Sequence, residues 1–245
     1  MSESRICGLV PTFDNPRTIR GVVERIRAHM ADVIVVDDGS SGPGREAAEA
    51  LARDGLARVL RRPRNGGKGA AVKSGFQFAA ELGFTHCLQI DADGQHDTGD
   101  IPRFLDAAKS QPDALVLGQP MFDGSAPSLR RRARLISRFL TDLQTGKRVI
   151  QDPLCGFRVY PIQAAIGVAG CGDRMDFDVE IAVRMIWDGC PVVNMPTQVR
   201  YLTTAEGGVS HFRMFRDNLL ISWAHTKLCS GALARLLTGR RLRRA

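Results

Sequence analysis

Leu88-Gln89-Ile90-Asp91-Ala92-Asp93-Gly94-Gln95-His96 is the stretch on which the reading of this chain turns. The apolar run from Cys87 to Ile90 predicts a buried strand, and it stops abruptly in acid. Asp91 and Asp93, two residues apart at a strand's end, can reach one hard divalent cation, with Gln95 adding a carbonyl oxygen to the same shell. Mg2+ takes one or two carboxylates plus substrate phosphates and keeps several waters. Alone, Asp-Ala-Asp-Gly reads better as a polar turn, since Asp and Gly favour turns for ordinary backbone reasons. The segments around it change that weighting.

Upstream, Arg5 to Val10 predicts a first strand ending in Pro11-Thr12-Phe13-Asp14-Asn15-Pro16, and Arg17 to His29 has the spacing of an amphipathic helix. Val33 to Val36 is a β-branched run of the kind found in central parallel strands, and it too ends in acid, at Asp37-Asp38-Gly39-Ser40-Ser41. A helix over Gly44 to Arg53, a strand over Ala57 to Leu60 and a helix over Ala70 to Leu82 follow. Downstream come a helix over Ile101 to Ser110 and a buried strand over Ala114 to Gly118. Alternation of this kind predicts an α/β fold with a doubly wound, mostly parallel central sheet flanked by helices. Ligands of such sheets bind outside the carboxyl ends of the strands, so the acidic segments are expected to converge there. The second half is less regular. It predicts a basic helix over Ser128 to Leu143 able to cover the site, a turn at Asp152 to Arg158 leading into extended Val159-Tyr160, and a helix over Asp178 to Trp187. A strand over Pro191 to Leu202, interrupted by Pro196, precedes a loop at Gly207 to His211 and a helix from Phe212 to about Leu237.

The 245 residues, 44% hydrophobic and 24% charged, suffice for one large α/β domain or two small ones. We expect residues 1–211 to form the catalytic domain and 212–245 a helical, basic tail packed on it or extending from it. Six cysteines without a C-x-x-C pair suggest reduced thiols in a cytoplasmic protein, not a zinc site or disulfide frame. No long apolar run marks a signal peptide or a spanning helix. The net charge of +8 is concentrated at Arg130, Arg131, Arg132, Arg134 and Arg138 and at Arg240 to Arg244, which suits polyanions or an anionic membrane surface as well as a solvated face. Nucleic acid is excluded as the favoured partner, because aromatics are only 6% and no recognition motif is visible.

Asn65-Gly66-Gly67-Lys68-Gly69 is neither a Walker A loop, since Gly follows the lysine, nor a dinucleotide fingerprint. Glycines before a helix expose N–H groups and Lys68 adds charge, which favours an anion as much as a plain surface turn does. Asp37 and Asp38 suit a ribose or base, although one of them would serve as a helix cap. Asp176, Asp178 and Glu180 suit a helix start, and one of them is a candidate general base if the acceptor is a hydroxyl. His96 and His211 read as packing residues.

Five segments in order, Val10 to Asn15, Val35 to Ser40, Asn65 to Gly69, Asp91 to His96 and Cys155 to Arg158, together resemble the family 2 glycosyltransferases of GT-A fold, and above all their dolichol- or polyprenyl-phosphate mannosyl/glucosyl branch. The resemblance spans roughly residues 5 to 210. It implies a UDP- or GDP-sugar donor held by Pro11, Thr12, Asp14, Asp37, Asp38, Lys68 and Asp91. It further implies Mg2+ or Mn2+ on Asp91, Asp93 and Gln95, with Asp93, Asp178 and Glu180 as catalytic candidates. A lipid-linked acceptor phosphate would meet Arg131, Arg134, Ser137 and Arg158 at the inner face of the cytoplasmic membrane. The absence of Gln-x-x-Arg-Trp argues against a processive synthase. Rival readings are a sugar-1-phosphate nucleotidyltransferase, although Pro11 to Pro16 lacks its Gly-rich loop, and a catalytically silent nucleotide-sugar-binding protein.

Overall fold

β-Branched residues that are apolar on both faces form strands only where helices cover both sides of the sheet, and Val33–Asp37 is buried along its whole length. The computed structural model describes residues 4–122, 128–146, 149–200 and 213–238, with the side chains of 128–130 left aside. The order is β1 (Ile6–Thr12), α1 (Ile19–Arg27), β2 (Val33–Asp37), α2 (Gly42–Arg53), β3 (Arg58–Arg61), α3 (Lys68–Glu81), β4 (His86–Gln89), α4 (Ile101–Ser110), β5 (Leu115–Phe122) and α5 (Ser128–Thr145). There follow β6 (Arg158–Pro161), α6 (Ile162–Gly167), α7 (Phe177–Trp187), β7 (Val192–Val199) and α8 (Met214–Leu237).

These strands form one sheet in the order β3-β2-β1-β4-β6-β5-β7. β6 runs antiparallel to both neighbours, and every other pairing is parallel. Period-2 alternation divides the core between the two faces. Ile34 and Val36 point towards α3, α6 and α7, and Val33 and Val35 towards α1, α2 and α4. The chain starts in the middle of the sheet and winds outward both ways, which leaves a crevice beyond the carboxyl ends of β1 and β4.

The expected elements are present within a few residues, and three differences have physical reasons. Pro196 does not interrupt its strand: it pairs in register with Gln119. β7 is an edge strand, where a missing N–H can face away from the ladder. β5 runs on to Phe122, beyond the expected Gly118, because β7 pairs with it along its full length. The short α6 had no periodic signal at six residues. α8 packs on α5 and α7. Gly231 lies where any Cβ would come within 2.8 Å of the Trp187 ring. The loop at Gly207 to His211 and the arginines from Arg240 onward lie outside the described residues.

Candidate active site

A cleft of about 1180 Å³ opens beyond the carboxyl ends of β1, β2 and β4. Pro11, Thr12, Phe13 and Asn15 from the end of β1, Asp38, the Gly67-Lys68 corner, and Asp91, Asp93, Gln95 and His96 all line it. Its other wall comes from α5, the start of α7 and α8, including Arg134, Ser137, Arg174, Asp178, Arg213, Arg216 and His225.

The acid loop after β4 is pinned from three sides. Thr18 Oγ1 donates to the Ala92 carbonyl at 2.6 Å, the Gln95 carbonyl accepts from the Arg200 N–H at 3.0 Å, and the Gln95 N–H donates to Asp93 Oδ1 at 3.0 Å. Behind it, Gln89 is fully buried and spans from the Gly156 carbonyl (3.1 Å) to Asp91 Oδ1 (3.5 Å). Gly156 is required here, because a Cβ at that position would lie 2.1 Å from an Asp91 carboxylate oxygen. The signal for Gln89 was a lone amide at the end of an apolar strand, which sequence reading passed over.

Lys68 Nζ joins the two acidic walls, at 2.9 Å from Asp91 Oδ1 and 2.7 Å from Asp178 Oδ2. Burial alone would lower the Lys68 pKa, but the carboxylates of Asp178 and Asp91 outweigh it and hold the ammonium above the ordinary lysine value. Burial pushes the Asp91 carboxyl upward, and the Lys68 ammonium pulls it down, with a net shift below the ordinary carboxylate value, so Asp91 stays ionised. Desolvation takes His96 down to about 4, so it is neutral near pH 7.

Asp38 and Asp37 work chiefly through their loops. Asp38 ion-pairs with Arg62 and accepts the N–H groups of Gly66 (3.1 Å) and Gly67 (2.7 Å). The glycine N–H groups expected to meet an anion are therefore already taken by Asp38, and Lys68 is left as that corner's positive contribution. Gly67 sits at φ +105°, and a Cβ there would also strike the Asp173 carbonyl at 2.5 Å. Asp37 accepts from the Arg61 guanidinium on Oδ2 at 2.6 Å and from the Ser40 N–H on Oδ1 at 2.9 Å. Asp14, at φ 49°, accepts from the Ser41 N–H at 3.0 Å. Neither Asp14 nor Asp37 is part of the cleft wall; both shape the Ser40-Ser41 turn behind it.

Two expected site residues are held away from the cleft, and a third lies outside its lining. Arg158 is fully buried and spends its donors on the carbonyls of Cys155, Asp178 and Pro153 at 2.6 to 2.8 Å and on the Tyr160 hydroxyl, so it braces the cleft floor and cannot meet an acceptor. Glu180 has no exposure; it ion-pairs with Lys227 on α8 and accepts the Gly172 N–H at 2.7 Å, facing away from the cleft, so it is no general base there. Arg131 is exposed and does not line the cleft, although it lies one turn before Arg134 on the same side of α5. Arg134 is held by both oxygens of Asp152 at 2.6 and 2.7 Å, and Ser137 Oγ lies 2.6 Å from His225 Nε2.

Among the described residues no cluster of three or more His, Cys, Asp and Glu side chains makes a complete metal cage. The oxygen set of Asp91, Asp93 and Gln95 nonetheless suits a hard cation that shares its shell with a ligand's phosphates. Asp178 Oδ1 and His96 Nδ1, buried on opposite walls of the cleft, have no hydrogen-bond partner among the described residues. The residues present therefore fit a divalent cation.

His225, buried between Ser137 and Gln144, supplies a pH test. Desolvation lowers it to about 4. Between that value and about 6.5 the unfolded chain binds the proton and the folded one does not, so stability rises with pH across this window. Acidification from pH 7 to 4.5 is expected to cost about 1–2 kcal/mol through this residue. Urea melts of wild type and His225→Gln should show a smaller pH slope in the variant; equal slopes would remove His225 from the account.

The family model described as glycosyl transferase family 2 matches residues 8–166. Polyprenol monophosphomannose synthase of Mycolicibacterium smegmatis is 29% identical over 216 residues, covering 82% of this chain and 78% of that protein. Undecaprenyl-phosphate mannosyltransferase of Micrococcus luteus is 28% identical over 206 residues, covering 78% and 82%. Among solved structures, glucosyl-3-phosphoglycerate synthase of Mycobacterium tuberculosis, in complex with Mn2+, UDP-glucose and phosphoglyceric acid, superposes with a TM-score of 0.71 at 15% identity over 93% of this chain and 80% of that one. That likeness shows the GT-A fold.

Proposed function

The chain belongs to glycosyl transferase family 2 and is a glycosyltransferase, and we propose that it moves a single sugar, with inversion, from a UDP- or GDP-sugar to a polyprenyl-phosphate or related lipid-linked acceptor with the help of Mg2+ or Mn2+. The observation that carries the reading is the meeting of Asp91, Asp93, Gln95 and Lys68 in one cleft with the loop ends of β1 and β2. The curated relatives named for polyprenyl-phosphate mannosyl transfer support the acceptor class.

In this reading the base and ribose lie against Pro11, Thr12 and Asp38, with Asp14 and Asp37 fixing the turn that borders them. A bound divalent cation would supply Lewis-acid neutralisation of the leaving diphosphate, and Asp91, Asp93 and Gln95 are the residues to hold it. Lys68 adds a fixed positive charge beside the diphosphate, and Asp178 keeps that charge in place. On the opposite wall the lining residues Arg174, Arg213 and Arg216, with Arg134 held beside them by Asp152, are the basic groups for an acceptor phosphate, with Ser137 between the helices. An ionised phosphate is already a nucleophile and needs no general base. That requirement agrees with Glu180 facing away and Asp178 being committed to Lys68.

A thermal-shift comparison of UDP- and GDP-sugars with and without Mn2+ tests the donor. Ligand at a hundred times its Kd stabilises by about 2.7 kcal/mol, or about 5–10 °C for a chain of this size. One nucleotide should give such a shift with Mn2+ and a much smaller one without it. No shift from either nucleotide would defeat the proposal.

A further inference from the structure

Helix α5 is built inside out. Ser137, Thr141, Gln144 and Thr145 face the protein at 3% exposure or less, whereas Leu135, Ile136, Phe139 and Leu143 face outward at 58 to 65%. A helix on a protein surrounded by water turns its apolar stripe to the core. Here the inward polar face is tied by His225 Nε2 to Ser137 (2.6 Å), by His225 Nδ1 to Gln144 (3.0 Å) and by the Thr141 carbonyl to Thr145 (2.8 Å), with the Gln144 amide oxygen left without a partner among the described residues. Beside it, α8 presents Phe215, Leu219 and Trp223 at four-residue spacing, exposed by 55 to 81%, and Leu236-Leu237 at its end. Among the described residues, Met121 is the sole large exposed hydrophobic side chain that lies off these two helices. An apolar surface of this extent marks an interaction site.

The charge on the helices narrows the occupant. α5 and α8 together carry eight Arg and Lys against two Asp, so they hold +6 of the chain's +8. Arg134 and Lys227 are paired with Asp152 and Glu180, and the helices remain positive without them, so a second copy docking face to face would set like charge against like charge, whereas an anionic lipid surface complements it. No described helix is long and apolar enough to cross a membrane, which leaves the in-plane arrangement of an interfacial helix, apolar side in the acyl boundary and arginines among headgroups. Both helices also line the cleft, through Ile136 and Ser137 on one and Ile221 and Ser222 on the other.

We propose that α5 and α8 form a docking surface for an anionic lipid bilayer, which turns the mouth of the cleft onto the membrane. The binding is apolar as well as electrostatic, with Phe139, Leu143, Phe215 and Trp223 entering the acyl boundary. This deepens the lipid-acceptor reading and rests on it for its purpose.

Tryptophan fluorescence with phosphatidylglycerol-containing vesicles tests it, because Trp187 is buried and Trp223 is the exposed one of the two. Wild type should show a blue shift on vesicle addition, quenching by brominated acyl chains, and partial retention on vesicles in high salt. Phe139→Ser with Leu143→Ser should lower partitioning by about tenfold or more, while the nucleotide-induced thermal shift stays as in wild type. Absence of vesicle binding, unchanged partitioning in the double variant, or a dimer in solution that already shields Trp223 would each overturn the proposal. Vesicle binding intact in a protein that no nucleotide stabilises would uphold the surface and defeat the donor reading instead.

Discussion

Replacing Asp93 with alanine is expected to lower sugar transfer by at least about 10²–10³-fold while leaving the fold intact. Asp93 faces the cleft on the loop after β4, and within its turn it accepts the Gln95 N–H at 3.0 Å. A hydrogen bond of that kind is worth about 1 kcal/mol, small beside the 5–15 kcal/mol typical of a folded domain. The catalytic contribution is larger: groups placed where negative charge develops on a leaving diphosphate lose about 10²–10³ in rate when removed. Asp97 supplies the control. It also accepts a neighbouring N–H, from Gly99 at 2.9 Å, but it lies outside the cleft wall, so Asp97→Ala should keep nearly full activity. Equal turnover of wild type and Asp93→Ala would remove the acid loop from catalysis.

The second large effect is expected at Lys68. Its side chain is 12% exposed, and its ammonium serves Asp91 and Asp178 together. Lys68→Met removes the shared cation and leaves two carboxylates facing each other without it. Breaking a buried pair from one side costs about 3–5 kcal/mol, a fall of roughly 10 °C or more in Tm. The same variant gives divalent cations a site free of the lysine, so Mn2+ without nucleotide should raise its Tm by more than it raises that of wild type. A Tm within a degree or two of wild type would mean that the lysine bridge carries no weight.

Much of this was legible in the sequence, and what was not has definite causes. Strands that end in acid, at Asp37 and Asp91, announced both the winding of the sheet and the rim where the site lies. Which way a side chain points from a helix's first turn was less visible. Asp178 and Glu180 are two residues apart, about 200° around the axis, so one reaches Lys68 while the other is bound to Lys227 on the far side. Spacing alone contained that answer, but charge drew attention to both. Arg158 was assigned to the acceptor phosphate through the family resemblance, and only the fold shows the three carbonyls that satisfy it. α5 was legible as a basic helix, but its charge drew attention away from its apolar residues, and a sequence pattern cannot say whether such residues face a core or a membrane.

The central claim is that loops from distant parts of the chain hold one cation and one diphosphate between them. Mn2+ titration followed by electron paramagnetic resonance, with UDP or GDP present, tests it most directly. The account predicts one ion per chain in wild type, bound more tightly with the nucleotide than without it, and lost in both Asp91→Asn and Asp93→Asn. Ion binding that persists in those variants, or that ignores the nucleotide, would contradict it.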